Sequence, residues 1–205
     1  MRVGIICNGL MEDFPFHRDI LDKCDLVICA DGGVNHCVNL KIQPSYVIGD
    51  LDSADEKILY KFLKKGTVVI KDTDQNKTDL ELAIELAKEH KASELVITGA
   101  ISTRFDHTLG NVMMLARLNI KARIIDSRNE IYFVTKRIEL EGKKGEILSV
   151  IPLGETEGIT YTGLKWGLKD CKTKFGWIGV CNEFTSNKAT IAVKKGKLLV
   201  MKARD

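Results

Sequence analysis

Six short apolar runs constrain the fold of this chain more than any other feature. They are VGIIC (3–7), LVICA (26–30), YVIGD (46–50), TVVIK (67–71), LVITG (95–99) and ARIID (122–126). None alternates apolar with polar residues, so each reads as a strand buried on both faces, the mark of a parallel sheet. Helical segments lie between them. In TDLELAIELAKEH (78–90), Leu80, Ala83, Ile84 and Ala87 follow the helical period, and Thr78 with Glu81 makes a capping box. Ser53 with Glu56 makes another and predicts a helix opening near 54. Repeated strand–helix units predict a Rossmann-like α/β domain with a parallel sheet.

The rhythm changes after Asp126. From Glu130 the chain runs in short strands, EIYFVT, KRIELE, EILSVIPL, ITYTGL, ATIAVK and KLLVMK, several of them separated by glycine-containing turns. That pattern predicts an all-β sandwich. The boundary falls near Ser127–Asn129, giving domains over 1–127 and 128–205.

A chain of 205 residues accommodates two such domains. Its net charge of +3 is small and its lysines are scattered, which argues against a nucleic-acid partner. No run approaches the roughly 18 apolar residues of a membrane span, and MRVGIICNGL reads as a first core strand rather than a signal peptide. The six cysteines form no CxxC pair and no zinc-type cluster, so the expected compartment is reducing and cytoplasmic.

In open α/β sheets, ligands bind beyond the carboxyl ends of the strands. The segments there are CNG (7–9, with Asn8), ADGGVN (30–35, with Asp31, Gly32, Gly33 and Asn35), GDLDS (49–53), KDTDQNKTD (71–79) and GAISTRFDH (99–107). Asp31, Asp50, Asp52, Asp74, Asp79 and Asp106 therefore share one edge. Such a cluster repels itself unless cations or hydrogen bonds neutralise it. Mg²⁺ takes oxygen ligands and is often shared with phosphates, and Lys77 and Arg104 bring positive charge to the same edge. Taken singly, each residue also has a structural explanation. Gly32 and Gly33 suit a tight turn, Ser53 a helix cap, Thr78 and Asp79 a first helical turn, Arg104 and Asp106 a surface ion pair. Their coincidence on one edge singles them out. No GxGxxG follows the first strand and no GxxxxGK[ST] occurs, so neither a dinucleotide fold nor a P-loop is indicated.

In order and spacing, ADGGVN, GDLDS, DQNKTD and GAISTRFDHTLGN resemble the thiamine pyrophosphokinase family. TGLKWGL (162–168) and CNEFTSNKATIAVKKGKLLV (181–200) resemble that family's later segments, so the likeness covers nearly the whole chain. It implies transfer of the β,γ-diphosphoryl group of ATP to thiamine, with AMP as the other product. It also implies a homodimer in which thiamine sits where the sandwich of one subunit meets the catalytic domain of the other. By position, Asp50, Asp52 and Asp79 match magnesium-associated acids, and Asp31 matches an acid near the metal and the reacting hydroxyl. Asn8, Gly32, Gly33, Asn35, Gln75, Lys77, Thr78, Arg104, Asp106 and His107 fall around ATP. Leu164, Trp166, Cys181 and Asn182 fall around thiamine, with Trp166 as the stacking aromatic. Asp31 or Asp52 could accept the hydroxyl proton. The chain departs from the family pattern where Ile101, Ser102 and Thr103 replace small glycines before the arginine, and where Cys181 replaces a serine. Alternatives are a pyrophosphokinase acting on another alcohol such as a hydroxymethyl pterin, a non-catalytic nucleotide-binding regulator, or a structural interaction module.

Overall fold

The computed structural model describes residues 1–73 and 76–204, which divide into two compact units, Met1–Ser127 and Arg128–Asp205. The first unit holds β1 (Arg2–Ile6), α1 (Phe14–Leu21), β2 (Leu26–Ala30), α2 (Cys37–Leu40), β3 (Tyr46–Gly49), α3 (Glu56–Leu63), β4 (Val68–Lys71), α4 (Asp79–Glu89), β5 (Glu94–Thr98), α5 (Phe105–Met114) and β6 (Lys121–Ile125). A 3₁₀ helix over Asp31–His36 joins β2 to α2.

The six strands lie in the order β6-β5-β1-β2-β3-β4, and every pairing among them is parallel. One face carries Ile6, Val27, Cys29 and Val47, packed with Leu21, Leu40 and Phe62 of α1, α2 and α3. Alternation along the strands turns the fully buried Ile5 and Ile28 to the opposite face, where α4 packs on β1, β2 and β3. Burial on both faces thus accounts for the unbroken apolar runs. The exception is β4, at the sheet's edge, whose four residues are all exposed or half-buried.

Helix α4 starts as the sequence predicts: the Thr78 hydroxyl accepts the Glu81 N–H at 3.2 Å and closes a capping box. Helix α3 does not. Its cap is Asp55, whose Oδ1 accepts the N–H groups of Lys57 and Ile58 at 2.9 and 3.0 Å, so it begins at Glu56 rather than near 54. The Ser53 hydroxyl instead donates to Asp52 Oδ1 at 2.9 Å.

The second unit holds β7 (Asn129–Val134), β8 (Arg137–Glu141), β9 (Ile147–Pro152), β10 (Thr156–Thr162), β11 (Cys171–Thr173), β12 (Gly179–Glu183), β13 (Lys188–Ala192) and β14 (Leu198–Ala203). Two antiparallel layers form, β12-β9-β14-β7 and β11-β10-β13-β8. Leu148, Val150, Leu198 and Val200 from the first share a core with Leu140, Ile159, Tyr161 and Ile191 from the second, the arrangement of a sandwich. Strands β11 and β12 are the two that the sequence pattern does not announce.

Candidate functional site

Beyond the carboxyl ends of β1, β2 and β5 the chain packs so tightly that several positions have no room for a side chain. Gly99, at φ +63°, would place a Cβ 2.3 Å from the Cys7 carbonyl oxygen. A Cβ on Gly9 would lie 2.5 Å from that of Ile101, and one on Gly33 would lie 2.0 Å from that of Ile6. The 7–10 and 98–101 segments continue the β1–β5 pairing, with Cys7, Gly9 and Leu10 N–H groups donating to Thr98, Gly99 and Ile101 carbonyls at 2.7–2.9 Å. This packing opens a cavity of about 840 Å³ at the carboxyl edge of the sheet.

Five aspartates line that cavity: Asp31, Asp50, Asp52, Asp79 and Asp106. One oxygen each from Asp31, Asp50 and Asp52 lies within 4.8 Å of the others. Asp79, at the N-terminus of α4, joins them: burial raises its pKa above the usual 3.8, and the charges of Asp31 and Asp50 raise it further, while N–H groups of Asp50 and Asp79 partly offset the rise. Asp31 is 5% exposed and sits in the left-handed region at φ 45°. Among the described residues its buried Oδ1 has no hydrogen-bond partner. A buried carboxylate oxygen with no donor, amid other carboxylates, suits a hard divalent cation.

The rest of the lining supplies binding groups. Arg104 holds Asp106 through two hydrogen bonds, Nη2 to Oδ2 at 2.7 Å and Nε to Oδ1 at 3.3 Å, and this pairing pulls the Asp106 carboxyl down to about 2. Helix α5 opens at Arg104 with no side-chain cap. The Ile101–Thr103 loop is tied to the start of α5 by hydroxyls: the Arg104 N–H donates to Ser102 Oγ at 3.0 Å, and the Ser102 N–H to Thr108 Oγ1 of α5 at 2.9 Å. Cys7 lines the floor, but burial and then the Asp79 charge push its thiol up to about 12, which leaves no thiolate for chemistry.

Of the residues expected around ATP and metal, Asn8, Asp31, Asp50, Asp52, Thr78, Asp79, Arg104, Asp106 and His107 line this cavity. Gly32, Gly33, Asn35 and Lys77 stand outside its lining. Gly32 packs against the Asn8 side chain, and Lys77 pairs with Glu85 at 2.7 Å. Asn35 braces the acidic loop, donating to the Ser53 carbonyl and accepting the Asp55 N–H, both at 2.9 Å. Gln75 and Asp74 lie outside the described residues. The lining also includes Gly110, Asn111 and Met114, which sequence reasoning missed. They follow His107 at helical spacing, and that period was the available signal.

In the second unit, Trp166 is 54% exposed, with Lys165 Nζ 4.5 Å from its ring centroid. Asn182 is buried and hydrogen-bonded to the Trp166 main chain. Leu164 is buried in the sandwich core and bridges to Phe184. Cys181 is exposed, at φ 59° where β12 shifts register, and its N–H donates to Ser149 Oγ at 3.2 Å. All six cysteines are free.

Converging carboxylates at the edge of a parallel sheet, with an arginine and an open helix N-terminus on the same cavity, define an enzyme of the phosphate-transfer class. Comparison with known proteins narrows the class. Residues 17–125 match the thiamin pyrophosphokinase catalytic domain, and residues 135–198 match the thiamin pyrophosphokinase vitamin B1 binding domain. A Bacillus subtilis thiamine pyrophosphokinase is 28% identical over 99% of both chains. Thiamine pyrophosphokinase 2 of Arabidopsis thaliana is 30% identical over 82% of this chain and 74% of its own length. The crystal structure of the Bacillus subtilis thiamine pyrophosphokinase superposes with a TM-score of 0.89 at 27% identity, covering all of both chains. The chain belongs to the thiamine pyrophosphokinase family.

Proposed function

We propose that this chain transfers the β,γ-diphosphoryl group of ATP to the hydroxyethyl oxygen of thiamine, giving thiamine diphosphate and AMP. The observation that carries the reading is the convergence of Asp31, Asp50 and Asp52, with Asp31 Oδ1 buried and unbonded among the described residues, on one cavity. The alcohol oxygen bonds to the β-phosphorus, the bond from that phosphorus to the α,β-bridging oxygen breaks, and AMP leaves with that oxygen. A carboxylate of the cluster takes the hydroxyl proton. Such transfer is chiefly positioning and charge stabilisation.

In this reading Asp50, Asp52 and Asp79 hold Mg²⁺, with Asp31 beside them. Bound Mg²⁺ offsets charge on the phosphate oxygens. Arg104 exchanges its exposed partner Asp106 for phosphate oxygens, and the uncapped start of α5 adds N–H groups. The exposed indole of Trp166 stacks on thiamine, where cation–π attraction is worth about 0.5–2 kcal/mol. The match to a vitamin B1 binding domain over residues 135–198 supports thiamine over a pterin alcohol.

The reading extends to a homodimer with active sites at the subunit interface and to a cytoplasmic location. The exposed Phe175, Ile178 and Val180 support burial against a second subunit. Free cysteines suit a reducing compartment, and among the described residues no helix is long and apolar enough to cross a membrane. The test is AMP release from ATP and Mg²⁺ with and without thiamine. Thiamine-dependent AMP is expected; AMP release that responds only to a pterin alcohol contradicts the reading.

A further inference from the structure

Asn182 is 8% exposed and spends its side-chain amide on the main chain of a residue sixteen positions away. The Trp166 N–H donates to Asn182 Oδ1 at 3.1 Å, and Asn182 Nδ2 donates to the Trp166 carbonyl at 2.8 Å. The same Oδ1 also accepts the Glu183 N–H at 2.9 Å. Among the described residues, no main-chain group bonds the Trp166 N–H or carbonyl, so Asn182 supplies both partners. A carboxamide suits this because it offers a donor and an acceptor side by side.

The surroundings are zipped to the same strand. The Lys165 N–H donates to the Glu183 carbonyl at 2.9 Å, Lys165 Nζ pairs with Glu183 Oε1 at 2.9 Å, and Leu164 bridges to Phe184. The Trp166 backbone is thereby fixed while its indole stands exposed, with Lys165 over one face. An exposed ring on an unanchored loop would have to be ordered when a ligand stacks on it; a ring already held loses less on binding.

We infer that Asn182 is a positioning residue, which presents the Trp166 indole to a planar cationic ligand and acts through Trp166 rather than by touching that ligand. The inference rests on the proposed role of Trp166 as the surface on which thiamine stacks.

The test is a double-substitution cycle in the full chain, using N182A, W166A and the pair, with thiamine and ATP as substrates. N182A should raise the thiamine KM about tenfold, the scale of one or two lost hydrogen bonds. The ATP KM should not move. The double variant should match W166A alone, because Asn182 has nothing left to position. In a W177F background, where Trp166 is the remaining tryptophan, N182A should also increase acrylamide quenching. N182D keeps an acceptor for the Trp166 N–H but loses the donor, so it should fall between wild type and N182A, and it carries the test if N182A does not fold. Full additivity of N182A with W166A, or unchanged quenching, overturns the inference. A wild-type chain without thiamine-dependent AMP release overturns the functional reading instead, and the quenching arm still reports on the anchoring of Trp166.

Discussion

Gly49 and Asp79 meet so closely that a Cβ on the glycine would lie 2.6 Å from the Asp79 carboxylate oxygen. The same atom would lie 3.0 Å from the Asp31 Cβ, and Gly49 itself adopts φ +146°. The end of β3 is therefore glycine because two aspartate side chains close over it. Gly49→Ala should cost about 1–3 kcal/mol in backbone strain and displace Asp79. The expected result is a lower Tm and a loss of turnover well beyond what the stability change explains. Activity retained alongside a lowered Tm would mean that Asp79 need not stand where it does.

The acid cluster also costs stability. Burial first, then Asp31 and Asp50, raises the pKa of Asp79, so the folded chain binds a proton more tightly there than the unfolded chain does. The folded state then holds more protons over the range above the ordinary 3.8, and this contribution to stability is lost as pH rises through that range. Asp31→Asn removes one of the charges. In EDTA at neutral pH the variant should be more stable than wild type in urea, with the difference shrinking as pH falls below the ordinary carboxylate range. Turnover should be lost. A variant less stable than wild type at neutral pH would show that the Asp31 charge is not a burden to the fold.

Arg104 and Asp106 form an ion pair in which both side chains are about two-thirds exposed. Pairs of that kind contribute little to folding. Arg104→Ala should therefore leave Tm unchanged and raise the ATP KM by roughly tenfold or more, the loss expected of a charge-assisted phosphate contact. The thiamine KM serves as the internal control. A drop in Tm with an unchanged ATP KM would make the pair structural.

Much of this was legible because the parallel sheet writes itself in unbroken apolar runs, and because ligands gather at one edge of such sheets. The capping box at Thr78 is local, so its two hydrogen bonds can be read from four residues. The cap of α3 misled for a related reason: Ser53, Asp55 and Glu56 all suit a helix start, and the residue that caps it is Asp55, whose N–H is held by the distant Asn35 side chain. Strand β11 has three residues, and β12 carries a register shift at Cys181, so neither presents a clean period of two. The role of Asn182 depends on contacts across sixteen residues, which no spacing rule encodes.

The central claim is that a diphosphoryl group moves as one piece from ATP to thiamine. It is tested most directly by incubating the chain with Mg²⁺, thiamine and ATP labelled at either the β- or the γ-phosphorus. Both labels should appear in thiamine diphosphate, with unlabelled AMP formed in equal amount. Label entering thiamine from the γ-position alone, with ADP as the other product, would contradict attack at the β-phosphorus.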